Sequence, residues 1–317
     1  MSTVDRTRQA SKAGESRKPK EPKPREQVAE RLLKSSAGLW YDPELDLDWA
    51  APLDEDKFFI PPELITLYGT PLWDSLSRAQ RIELSRQELA NTLSVGIWFE
   101  NVLMELLVRL NYRKDPTSNH VQYAYTELAD ECRHSTMFGK VIDRIGARPY
   151  SPGFFWFNLG KVFPFLLRGS PMWVAALMGE EVFDVLQRDI LRGGAEELQP
   201  LVHGVMRIHV TEEARHMRFA REALMRRQRK AGFVEKQFAK FIGGAAAVVL
   251  GTLLNNKEMY ARAGLDAEQA HRQAKRNPHA HAQFRHGAAR IVSFFSEKGV
   301  DVMGFPYSLL WRYAKLL

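Results

Sequence analysis

His209, Glu213 and His216 stand at offsets of four and seven in the run His-Val-Thr-Glu-Glu-Ala-Arg-His. On a helix of 3.6 residues per turn those offsets bring all three to one face, roughly 10 Å apart end to end. Two imidazoles and a carboxylate on one face are costly to bury unless something neutralises them, and a cation does so. The alternative is a solvated helix face that happens to carry these residue types.

A second copy favours the metal. Residues 130–134 read Asp-Glu-Cys-Arg-His, and residues 212–216, eighty-two positions later, read Glu-Glu-Ala-Arg-His. Each contains Glu-x-x-His, as Glu131 with His134 and as Glu213 with His216. Glu-x-x-His on each of two helices is half of the carboxylate di-metal site built inside a four-helix bundle. The other half is one glutamate from each of two further helices. Inward-facing glutamates are therefore expected on two more helices.

Those helices are legible. A helical pattern runs over residues 77–112, capped by Ser77 and open to interruption near Ser85. Around its middle, Val95, Ile97, Trp98, Phe99, Val102, Leu103, Leu106 and Leu107 are apolar almost all round, as in a buried bundle helix. Glu100 sits within that stretch as a candidate ligand, with a buried ion pair as the alternative and Glu105 in reserve. A helix over 118–145 carries the first Glu-x-x-His and ends at Gly146. His120 lies near its start, too far from the metal residues to join them. A helix over 172–191 offers Glu180 and Glu181, one of which should be the fourth carboxylate. A helix over 195–230 carries the second Glu-x-x-His.

The remaining segments surround this frame. Residues 26–34 form a short amphipathic helix, and 40–59 an arm with aromatic anchors. The apolar stretch 154–178, broken by Lys161, Pro164, Arg168 and Pro171, reads as two packed helices that supply core and one wall of a substrate cavity. One helix is expected over 234–263, with a small, apolar centre. Glu268 with His271 is formally a third Glu-x-x-His, but its Gln, Arg and Lys neighbours make it surface. A short helix over 308–317 can dock at a homodimer interface.

The net charge of +7 would suggest a polyanion partner if it were spread over the fold. Residues 1–25 alone hold eight Lys/Arg against three Asp/Glu; the other 292 carry 37 against 35. The charge belongs to a basic tail, 1–25, too polar to order itself. Residues 26–317 are read as one helical domain that binds no nucleic acid and has no need of membrane contact. The single cysteine, Cys132, excludes an intramolecular disulfide and is read as a small core residue in a reducing compartment. No apolar leader and no run of about 18 uncharged apolar residues is present, so a cytoplasmic location is expected.

Collected, these residues resemble the ferritin-like di-iron N-oxygenases, the p-aminobenzoate N-oxygenase family. The resemblance runs over residues 77–230 and rests on the paired Glu-x-x-His motifs, Phe99-Glu100-Asn101, and Gly179-Glu180-Glu181 with Asp184. It also rests on His209 one turn before Glu213, because that family adds a histidine to the usual six ligands. The resemblance implies an all-α, ferritin-like four-helix bundle with additional helices. It implies Glu100, Glu131, His134, Glu180, His209, Glu213 and His216 as ligands, with Glu180 preferred over Glu181. The implied cofactor is two iron ions, with manganese as the alternative and O2 as co-substrate. The implied reaction is oxidation of an arylamine toward hydroxylamine, nitroso and nitro products, using an external electron donor. The same site could hydroxylate or desaturate an aliphatic or acyl chain, with residues 154–178 lining its tunnel. A ferritin-like iron- or manganese-binding protein without organic substrate, or a metal-free interaction module, are the readings of other classes. Asp130 is expected to serve His216, and Glu212 to serve His134, across the bundle; the alternative is salt bridges with Arg133 and Arg215.

Overall fold

The computed structural model describes residues 23–193 and 196–317. The expected disordered tail, 1–25, lies outside them but for its last three residues, and Arg25 already begins a helix. The chain runs α1 (Arg25–Gly38), α2 (Pro43–Asp46), α3 (Pro71–Ser75), α4 (Arg78–Asn111), α5 (Asn119–Arg144), α6 (Phe154–Leu166), α7 (Ser170–Arg192) and α8 (Pro200–Gln228). It continues with α9 (Phe233–Leu254), α10 (Lys257–Arg262), α11 (Ala267–Arg276), α12 (Pro278–Phe295) and α13 (Ser308–Tyr313). The described residues form no strand, only an isolated bridge between Phe58 and Leu198. The fold is all-α and ferritin-like, with α4, α5, α7 and α8 as the four-helix bundle.

Local chemistry sets the long helices. Ser77 and Gln80 close a reciprocal capping box at the start of α4, worth about 1 kcal/mol. The interruption considered near Ser85 does not occur. Its hydroxyl donates to the Ile82 carbonyl at 2.6 Å and accepts from the Phe59 amide at 3.1 Å, so the arm is tied to an unbroken helix. After α5, Gly146 takes φ +65, a left-handed turn that glycine enters without a Cβ clash. The expected helix over 234–263 is two helices. Asn256 leaves the helical path, and its side chain accepts the Glu258 amide at 3.0 Å to start α10. By length and composition the span Phe233–Arg262 could cross a membrane. Here α9 packs on α7 and α13, with Gly244 letting Leu310 approach its backbone.

The stretch 154–178 departs from expectation. Its second part is core, with Trp173, Val174, Leu177 and Met178 buried in α7. Its first part is not. In α6 only Gly160 and Pro164 are buried, while Phe154, Phe155, Phe157 and Phe165 are exposed. The physical reason is one-sided packing: α6 lies on α4, where Gly160 fits against Trp98, and among the described residues its outer aromatics are left exposed.

Two large apolar clusters, and a small one of Leu103, Leu107 and Ala176, form the interior among the described residues. One gathers Trp173, Leu177, Phe219, Ile242, Phe295 and Trp311; the other gathers Phe58, Leu84, Leu89, Phe138, Val205 and Tyr260. On α5, Ala124 belongs to the first cluster and Met137 to the second. On α8, Phe219 belongs to the first and Ile208 to the second. Between those positions lie Glu127, Asp130, Glu131 and His134 on α5, and His209, Glu212, Glu213 and His216 on α8, all buried.

Candidate metal centre

Helices α5 and α8 meet crosswise. Asp130 Oδ2 lies 3.1 Å from His216 Nε2, and Glu212 Oε2 lies 2.9 Å from His134 Nε2. Early residues of α5 thus face late residues of α8, so the helices run antiparallel. Combined with the eighty-two-residue repeat, this creates a local twofold relation that exchanges Glu131 with Glu213 and His134 with His216.

The remaining ring nitrogens point at the axis. His134 Nδ1 is 3.0 Å from Glu131 Oε2 and 3.3 Å from Glu213 Oε1. His216 Nδ1 is 3.2 Å from Glu213 Oε1. It is also 2.9 Å from Glu131 Oε1, yet without hydrogen-bond alignment. His209 Nε2 stands 3.5 Å from Glu100 Oε1 and 3.6 Å from Glu213 Oε1. Donor atoms of Glu100, His134, His209 and Glu213 all lie within 4.8 Å of one another. The same holds for Glu131, His134, Glu213 and His216, and for Glu127, Glu131 and Glu180. All are buried.

This cluster is short of partners. Glu100 Oε2, Glu213 Oε2, both oxygens of Glu180 and both ring nitrogens of His209 are buried with no hydrogen bond. Each such group left unsatisfied costs roughly 1–3 kcal/mol, and more when charged. Cations at the axis would satisfy them. Carboxylate and imidazole donors without thiolate suit iron or manganese, so the residues present fit a pair of such ions.

Among the protein groups alone, charge is divided in a definite way. Burial would discharge His134, but hydrogen bonds to Glu131, Glu212 and Glu213 hold its imidazole well above the usual range. Burial is likewise overcome at His216 by the charges of Glu213 and Glu131. Burial raises the carboxyl of Glu100 well above its ordinary range, reinforced by the charges of Glu131 and Glu213. Burial does the same at Glu180, reinforced by Glu213 and Glu127. Burial and the neighbouring His134 charge push His209 down to about 3, which leaves a neutral ring with an available lone pair.

Around the centre lies a ring of two acids and two arginines. Arg133 Nη2 is 2.5 Å from Asp130 Oδ1 and 3.0 Å from Glu212 Oε1. Arg215 Nη2 is 3.8 Å from Asp130 Oδ2 and 3.8 Å from Glu212 Oε1. The two expectations for Asp130 and Glu212 are therefore not exclusive, since each acid holds a histidine and an arginine together. The arm covers this ring: Arg215 donates to the Leu39 carbonyl at 3.3 Å, and the Arg133 guanidinium lies 5.5 Å from the Trp40 ring centroid.

The structure also separates the candidates. Glu105 is exposed, on the outside of α4. Glu181 is buried but engaged with both guanidinium arms of Arg221, whereas Glu180 joins Glu127 and Glu131. Cys132 is exposed rather than core. One residue after Glu131 means a rotation of about 100° around the helix, away from the axis. His120 pairs with Glu26 at 2.6 Å, outside the cluster, and Glu268 pairs with Lys257 on the surface. Sequence reasoning missed Glu127. The signal was available, because the repeat that aligns Glu131 with Glu213 also aligns Glu127 with His209. Two cavities of about 420 Å³ each lie elsewhere, and none of these residues lines them.

Residues 22–299 match the family model described as p-aminobenzoate N-oxygenase AurF. Uncharacterized proteins of Mycobacterium tuberculosis (strain ATCC 25618 / H37Rv) and Mycobacterium bovis (strain ATCC BAA-935 / AF2122/97) are each 34% identical over 206 residues. The match covers 62% of this chain and 59% of theirs, so it spans less than two thirds of those relatives. Among solved structures, an R2-like ligand-binding oxidase variant with anaerobically reconstituted Mn/Fe cofactor is similar at TM-score 0.48 and 12% identity, over 89% of this chain and 97% of that one. A second variant of that oxidase is similar at TM-score 0.46 and 13% identity, over 89% and 96%.

Proposed function

The chain belongs to the p-aminobenzoate N-oxygenase family, and from that premise we propose that it is a di-metal oxygenase that oxidises an amine, foremost an arylamine, with O2. Glu100, His134 and His209 would hold one metal and Glu180 and His216 the other, with Glu131 and Glu213 supplying the remaining carboxylates. The metal pair, when bound, supplies the redox chemistry that activates O2.

The protein groups do the positioning. Glu212 and Asp130 accept the Nε2 protons of His134 and His216, so each ring keeps one tautomer and presents Nδ1 to the axis. Arg133 and Arg215 hold those acids in place. Phe138 packs against His209 in a tilted arrangement with ring centroids 4.8 Å apart, and both residues are buried. The observation that carries this reading is His209, a buried, neutral imidazole whose two nitrogens have no protein partner and which faces Glu100 and Glu213. A merely structural histidine would spend at least one nitrogen on a hydrogen bond.

The reducing equivalents come from an external donor in the cytoplasm, where the free thiol of Cys132 also belongs. The aliphatic reading keeps only part of its expected wall, because Phe154, Phe155, Phe157 and Phe165 of α6 are exposed while Trp156 and Phe163 pack on the core. The test is anaerobic loading with Fe(II), metal counting, and mixing with O2 in the presence and absence of p-aminobenzoate, with product analysis. Two irons per chain and hydroxylamine, nitroso or nitro products are expected. Two irons with oxidation indifferent to amines would return the chain to iron handling or aliphatic oxidation.

A further inference from the structure

Glu127 has no role in the reading above. It is 1% exposed, and neither carboxylate oxygen has a hydrogen-bond partner. A buried carboxyl that served only packing would be expected to find a donor, since an unpartnered one costs stability and an apolar residue would serve better. Its donor atoms lie within 4.8 Å of those of Glu131 and Glu180. It is therefore aimed at the centre from α5, one turn before Glu131.

The local twofold relation says at which end. His209, one turn before Glu213 on α8, groups with Glu100 and His134. Glu127, its counterpart on α5, groups with Glu180 instead. The repeat has thus placed an extra donor at each metal position but with different chemistry, an imidazole at one and a carboxylate at the other.

We propose that Glu127 is an eighth donor, a carboxylate ligand to the metal held by Glu180 and His216, and that it makes the two positions unequal. One position then has two imidazoles, from His134 and His209. The other has a single imidazole, His216, and an additional oxygen donor. Imidazole suits iron, and an oxygen-rich set suits manganese, so the Glu127 position is the one that accepts manganese more readily. This inference rests on the metal-pair reading above and goes beyond it by assigning a ligand and a selectivity.

The test titrates the full chain, stripped of metal by chelator, with Mn(II) and with Fe(II) under anaerobic conditions. Calorimetry and metal analysis count the sites, and electron paramagnetic resonance distinguishes coupled Mn(II) pairs from single ions. Wild type should hold two ions. Glu127→Gln should keep one tight site and weaken the second by about tenfold or more, with single-ion Mn(II) spectra replacing the coupled pair. Glu127→His, which copies the His209 position, should recover two ions and lose the preference for manganese at the second site. Two ions at wild-type affinity with unchanged spectra in Glu127→Gln overturn the proposal. Should that variant fail to fold by circular dichroism, an unchanged manganese preference in Glu127→His overturns it. A wild-type chain that does not hold two ions instead overturns the metal-pair reading, and this assignment with it.

Discussion

Asp130 on α5 and His216 on α8 are joined across the bundle, carboxylate oxygen to Nε2, at 3.1 Å, and the same oxygen lies 3.8 Å from Arg215. One side chain thus sets the direction of a proposed ligand ring from the opposite helix. Asp130→Asn retains the volume and loses the charge. We expect about 10–100-fold weaker metal binding at the His216 position, together with a lower melting temperature because the buried pair with Arg133 is broken, read by calorimetric metal titration of the folded fraction and a parallel melt. Unaltered affinity would return Asp130 to a plain ion pair with the arginines.

The two neighbouring acids of α7 should separate cleanly. Glu180→Gln removes a proposed donor and should reduce bound metal while leaving the melting temperature near that of wild type. Glu181→Gln breaks the buried pair with Arg221 and should cost about 3–5 kcal/mol of stability, with metal stoichiometry preserved in the folded fraction. Metal analysis and denaturant unfolding of both variants check the assignment, and the reverse pattern would exchange their roles.

Gly179 and Phe99 govern how closely α7 and α4 approach. A β-carbon at position 179 would fall within the Phe99 ring, and each residue immediately precedes a proposed ligand, Glu180 and Glu100. Gly179→Ala should cost about 1–3 kcal/mol and reduce metal retention. Adding Phe99→Ala should restore metal retention if the clash is the cause. A double variant no better than Gly179→Ala would show that the spacing is set elsewhere.

A pH dependence arises away from the metal. Burial raises the Glu88 carboxyl to about 7, against the opposing hydrogen bonds from the Thr66 hydroxyl and amide. The folded chain therefore keeps this proton where the unfolded chain has lost it. Its contribution to stability is full below the unfolded value near 4.5 and is lost as pH rises to about 7, a change on the order of 3 kcal/mol. Denaturant unfolding from pH 5 to pH 8 should show a smaller decline in Glu88→Gln than in wild type. Parallel curves would place the Glu88 proton at its ordinary value.

How much of this was readable in the chain depends on the range of the rule involved. Helix periodicity is local, so the face shared by His209, Glu213 and His216 and the eighty-two-residue repeat could be seen without coordinates. Caps are local too, and Ser77 marked the start of α4. The all-α bundle followed from these and from the need for two more carboxylates.

Other features lay beyond any local rule. Glu180 and Glu181 are adjacent and equally buried, and only Arg221 on α8 separates them by occupying one. The aromatic face of α6 reads as core until the bundle is assembled and, among the described residues, leaves it exposed. Cys132 and Glu127 share α5 with the expected ligands. The outward position of Cys132 follows from its offset of about 100° from Glu131, whereas only the assembled bundle brings Glu127 beside Glu180. Sequence by itself determined which residues share a helix face, because that is a matter of 3.6 residues per turn. Only the tertiary structure decided which face meets which neighbour, because that choice is made by packing between segments far apart in the chain.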